Sequence, residues 1–165
     1  MDRPVLRHGA FTTVLMVLLG ACATSPKGGP ELPLEEELVE EMRCEAPPIP
    51  GDYFGMLEVQ RRIDPKTITH EAGLACAVIP GGLTLKGMRF DRICGYEMDP
   101  DRRRRATYFR KSASPQHLRL ETDAPEAELL RWSKRHLRPA RGTQVSPRLD
   151  GAAGSAVACT TSAPR

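Results

Sequence analysis

Apolar positions along this chain recur with different periods, and each period predicts a different element. "AFTTVLMVLLGA" (10–21) is a short run without charge. "LEEELVEEMR" (34–43) places Leu34, Leu38 and Met42 at i, i+4 and i+8, which predicts a helix. Its early glutamates and final Arg43 suit the helix dipole, but so thin a stripe must dock or fray. "EAPPIPG" (45–51) ends it and reads as an extended linker, so the folded domain is expected to begin near Asp52. "DYFGMLEVQRRI" (52–63) reads as a helix capped by Asp52, with Tyr53, Met56 and Leu57 on one face and Ile63 extending the stripe; "MLEV" as a strand is the alternative.

Beyond the break at "DPKT", the pattern shortens to strand length. "LACAVI" (74–79) is an apolar run before Pro-Gly-Gly, and "LTL", "MRFDRICGYEM" and "ATYFRK" read as further strands. "HLRLET" alternates, which turns Leu118 and Leu120 inward and Arg119 and Glu121 outward. Asp123 with Glu126 resembles a capping box, with Pro125 in the first turn. It opens a helix whose inward face is expected at Ala127, Leu130 and Leu137 and which Pro139 ends. From residue 140 onward the chain is small, polar and glycine-rich, and reads as a disordered tail. The expected class is α+β: a small antiparallel sheet with one or two covering helices over residues 52–139, a flexible tether over 22–51 and a disordered tail over 140–165.

The amino terminus changes this picture from a fold to a location. Arg3 and Arg7 precede the apolar run, and the small residues Gly20-Ala21 close it, the layout of a secretory signal over residues 1–21. As a membrane span the run is too short, since crossing takes about 20 apolar residues. Leu19-Gly20-Ala21-Cys22 resembles the lipobox of bacterial lipoproteins. The resemblance covers about the first 22 residues and implies a diacylglycerol on the Cys22 thiol, cleavage before it and acylation of the freed amine. Two or three acyl chains anchor stably where one holds marginally. Ala23 rather than Asp in the next position implies delivery to the outer membrane of a two-membraned bacterium, with the acyl chains as the only insertion device.

Charge is unevenly divided. Residues 22–101 hold 8 basic and 15 acidic side chains, a net of −7; residues 102–165 hold 14 and 5, a net of +9. Halves of this kind attract one another, or one of them faces an oppositely charged partner. With Cys22 taken by lipid, Cys44, Cys76, Cys94 and Cys159 form an even set, as two disulfides in an exported protein require. A turn at Lys86-Gly87 would place Cys76 nearly opposite Cys94, whereas one centred on Gly81 would not, which favours Cys76–Cys94 as a pair. Cys44 and Cys159 are then the remaining pair, or stay unpaired. No C-x-x-C is present and His70, His117 and His136 stand apart, so neither a metal nor a cofactor is expected.

Candidate chemistry is sparse. Arg102, Arg103, Arg104 and Arg105, followed by Tyr108 and Phe109, form an anion-binding candidate for lipid headgroups, lipopolysaccharide phosphates or an acidic envelope protein; the export signal argues against nucleic acid. The bland reading of the same string is a solvated loop. His70 and Glu71 are adjacent and would point to opposite faces of a strand, a poor acid–base pair. Glu97, Asp99 and Asp101 lack the remaining ligands of a calcium loop, and Ser112 and Ser114 lack a nucleophile-elbow context. Cys94 before Gly95 is a nucleophile candidate only if it is not in a disulfide. Trp132 among basic residues suits either a packed covering helix or a membrane-contact helix. The expected function is a membrane-anchored envelope lipoprotein with a non-enzymatic binding or scaffolding module; a small envelope enzyme and an anion-binding module are the alternatives.

Overall fold

Leu34, Leu38 and Met42 do line one side of a helix, α1 (Leu34–Glu41), with Met42 as its C-cap, and all three are buried. The computed structural model describes residues 33–96, 108–109, 117–138 and 142–161. Following α1 come α2 (Pro50–Val59), a 3₁₀ turn at Pro65–Thr67, β1 (Thr69–Glu71), β2 (Leu74–Leu85), β3 (Met88–Tyr96) and β4 (His117–Thr122). Then α3 (Glu126–His136) precedes β5 (Thr143–Pro147) and β6 (Ser155–Thr160). The six strands form one antiparallel sheet in the order β1-β2-β3-β4-β6-β5. The α+β class is as the pattern predicts, with the acidic helix joining the two covering helices.

Register explains the core. Ala77, Ile93, Leu120, Val157 and Val145 form one row across five strands. Helix α1 lies over β2, α2 over β3, and α3 over β5 and β6. Pro50, the first residue of α2, sits so close to Gly95 that a Cβ there would fall 2.5 Å from its own Cβ. In α3, Trp132 meets Phe90 edge-on at 5.3 Å, and its indole nitrogen donates to the carbonyls of Leu85 and Lys86.

Several expectations need correction. The domain does not begin near Asp52: α1 belongs to the same compact unit as the sheet, because its three apolar residues are buried in the common core. Residues 34–51 are therefore not tether, and Asp52 lies inside α2, whose N-cap is Ile49. Residues 140–165 are not a disordered tail, since β5 and β6 lie within them and β6 is an interior strand. The small residues that suggested disorder fit because large side chains on β4 lie beside them: Ala156 pairs with Glu121 and Ala158 with Arg119.

The inward face of α3 is Leu129, Trp132 and Ser133, with Leu137 beyond its end; Ala127 and Leu130 are exposed. Trp132 sets this rotation by anchoring to the β2–β3 turn. Pro125 is the N-cap and no side chain caps the helix, so the expected capping box is not formed. "LACAVI" and "LTL" are one strand, β2, interrupted by a bulge at Pro80-Gly81-Gly82 between the pairs Val78–Arg92 and Leu83–Phe90. "ATYFRK" falls mostly outside the described residues; Tyr108 and Phe109, which are described, are not in a strand, and both rings pack on Phe54.

Candidate functional site

The opposite face of the sheet carries charge. Cross-strand rows place Arg92 beside Glu121 and Cys94 beside Arg119, with Tyr96 beside His117. Glu121 is fully buried and accepts from Arg92 Nη1 at 3.0 Å, Arg119 Nε at 2.8 Å and the Leu149 backbone nitrogen at 3.0 Å. Arg92 also pairs with Glu71, while Arg119 donates to Ser146 Oγ and the Pro147 carbonyl. Arg148 closes the cluster with two bonds to Asp91, at 2.8 and 3.0 Å, and two to Asp150, at 3.1 and 2.9 Å.

Arg119 and Glu121 were expected to face solvent. They are buried because the β5–β6 loop bearing Arg148, Leu149 and Asp150 covers them. The hydrogen bonds from Arg148 hold the Asp150 carboxyl at about 2, and Arg92 holds Glu71 below the usual carboxylate range. Carboxylates so engaged are poor proton donors and acceptors at neutral pH. This cluster is therefore a structural element, and it also satisfies part of the attraction between the two halves of the chain through Arg148–Asp91.

Histidine chemistry is similarly occupied. His70 and Glu71 point apart as expected: the His70 Nε2 lies 3.1 Å from the Tyr108 carbonyl oxygen, while Glu71 meets Arg92. The His117 Nδ1 contacts Thr160 Oγ1 at 2.7 Å, and its Nε2 is buried without a hydrogen-bond partner. Burial first, and Arg119 second, bring its pKa down to about 4 from an ordinary 6.5. Its folded form is thus neutral where the unfolded chain is protonated. Stability from this group is complete above about pH 6.5 and is lost as pH falls towards 4, to the extent of about 3 kcal/mol. Denaturant melts between those pH values should show that decline, and His117→Asn should flatten it.

Both disulfides form. Cys76 and Cys94 face one another across β2 and β3, with the chain turning at Lys86 and Gly87, both at positive φ as a tight hairpin needs. Cys44 is bonded to Cys159, joining the end of α1 to β6. Cys94 is thereby removed as a nucleophile. Cys22, Arg102 to Arg105, Glu97, Asp99, Asp101, Ser112 and Ser114 lie outside the described residues.

One concavity among the described residues has an open, charged character. A groove of about 230 Å³ lies between the β2–β3 turn and α3. Lys86, Arg131, Arg135 and His136 provide its basic lining, Met88 and Trp132 its apolar part, and Glu128 a single carboxylate. Of these, only Trp132 stands out in the sequence. The available signal was "RWSKR", which puts Arg131, Lys134 and Arg135 at i, i+3 and i+4 on one exposed face. Guanidinium groups around a partly apolar hollow suit a phosphate or carboxylate ligand. Among the described residues no helix is long and apolar enough to cross a membrane. Compared with known protein families, curated proteins and solved structures, the chain matches none.

Proposed function

We propose that this chain is a lipid-anchored protein of the bacterial envelope, delivered to the outer membrane, whose domain acts by binding or scaffolding. The observation that carries the reading is the disposition of its cysteines. Cys44, Cys76, Cys94 and Cys159 are consumed in two disulfides, which fits an oxidising compartment. Cys22 is left over, and it stands at the end of the lipobox-like "LLGAC". The binding role is supported by the engagement of the groups that chemistry would use: Cys94 in a bridge, Glu71 and Glu121 with arginines, and His70 against a carbonyl.

Metabolic labelling with radioactive palmitate tests the anchor. Label is expected in the wild-type chain and in the outer-membrane fraction, and is expected to vanish in Cys22→Ser with accumulation of unprocessed precursor. Unlabelled wild-type protein in the cytosol would overturn the reading.

A further inference from the structure

The basic groove is lined by Lys86 at the β2–β3 turn and by Arg131 and Arg135 of α3. Lys86, one wall of the groove, approaches Glu36 at 3.9 Å, and Glu36 is in the first turn of α1. The groove therefore opens beside the point at which the chain coming from Cys22 enters the domain. Only residues 23–33 separate Cys22 from Leu34, and eleven residues reach at most about 40 Å. On the lipid-anchored reading, on which this inference rests, a tether of that length lets the groove reach the headgroups.

Charge then selects the surface. Arg131, Lys134 and Arg135 are exposed on one side of α3, with Arg138 just past its end. Arg131 and Arg135 have no ion-pair partner among the described residues, unlike Arg62, Arg92 and Arg148. Glu128 in the lining and Glu36 beside Lys86 are two carboxylates against the three cations Lys86, Arg131 and Arg135. Leu130, also exposed, adds an apolar contact next to the basic stripe. A helix with cations and an apolar residue at its outer surface is suited to the headgroup layer.

We propose that Lys86, Arg131 and Arg135 dock this domain onto phosphate-bearing lipid headgroups, the phosphate entering the groove beside Trp132. The acyl chains would hold the protein to the membrane, and this face would set the orientation of the domain upon it.

The test uses the chain from residue 22 onward, the form that processing leaves, carrying Cys22→Ser so that no acyl chain contributes. It is mixed at low ionic strength with vesicles of one-third phosphatidylglycerol in phosphatidylcholine. Partition onto these vesicles is expected, with loss at high salt and none onto phosphatidylcholine alone. R131S/R135S should weaken partition about 25-fold, since each cation near an anionic surface contributes about five-fold. Both arginines are exposed, so an unchanged thermal melt is expected to accompany the loss.

Absence of partition by the parent chain overturns the proposal, as does partition that R131S/R135S leaves intact but replacement of Arg102 to Arg105 by serine abolishes. Inorganic phosphate that saturates the groove and leaves vesicles unbound would make it a site for a free anion and would also overturn it. Because no acylated protein is used, these outcomes are independent of the palmitate result.

Discussion

Removing the Cys44–Cys159 bridge as C44A/C159A should cost about 5 kcal/mol, against about 3 kcal/mol for C76A/C94A. The difference follows from loop length: the first bridge spans a separation of 115 residues and the second 18, and the longer loop restricts the unfolded chain more. A single domain is stable by about 5–15 kcal/mol, so the first loss consumes much of the whole. Native contacts at the long bridge add to the effect. Cys44 lies at a φ of 62°, a left-handed conformation unfavourable to a residue with a Cβ, and the bridge helps to hold it there. Gly142 lies against the same bridge, so closely that a Cβ would fall 2.6 Å from Cys44 Sγ. Thr143 Oγ1 donates to the Met42 carbonyl at 3.1 Å beside it. Guanidinium melts of the two double variants measure the contrast; equal losses, or a larger one for C76A/C94A, would refute the loop-length account.

That long bridge also shows which parts of the fold were legible in the chain. The Cys76–Cys94 pairing could be read only in part: the turn at Lys86-Gly87 makes the two strands a hairpin, but the irregularity between Val78 and Leu83 shifts the register by three residues and brings Cys76 opposite Cys94. Helix α1 and strand β4 could be read from apolar periodicity, since Leu38, Met42, Leu118 and Leu120 are buried as their spacing requires. The carboxy-terminal hairpin could not. Its strand β6 is "SAVACT", whose small residues carry little apolar area by themselves and make sense only beside Arg119 and Glu121.

The same non-local dependence concealed the charged cluster. An alternating strand such as "HLRLET" gives two faces but does not say whether the polar one is solvated. Here the answer lies in Arg148 and Leu149, almost thirty residues away, and in a bulge at Pro80-Gly81-Gly82. Beyond that bulge Phe90 packs on Trp132 while Arg92, two residues on, enters the cluster. The basic groove was partly visible as a helical spacing, but its closing wall, Lys86, comes from a separate turn.

Glu121→Gln should destabilise the domain by about 3–5 kcal/mol, the largest effect expected of a single polar substitution here. The carboxylate is fully buried between Arg92 and Arg119, whose side chains are each only 6% exposed. Glutamine preserves the shape but removes the charge and turns an NH₂ group towards a guanidinium, leaving buried Arg119 without its Glu121 counterion and Arg92 with only Glu71 and Asp150. Glu71→Gln and Asp150→Asn should cost much less, because both carboxylates are 30% exposed and water replaces part of what is lost. The arrangement's value is tested by the triple variant R92M/R119L/E121L, which removes both cations together with the anion. If the ions chiefly fill the space beneath the β5–β6 loop, apolar residues of similar volume should restore most of the loss in Glu121→Gln. Urea melts of the four variants distinguish the cases. A triple variant as unstable as Glu121→Gln would mean that the loop is held by the directed bonds to Leu149, Ser146 and Pro147 rather than by the filling of its underside.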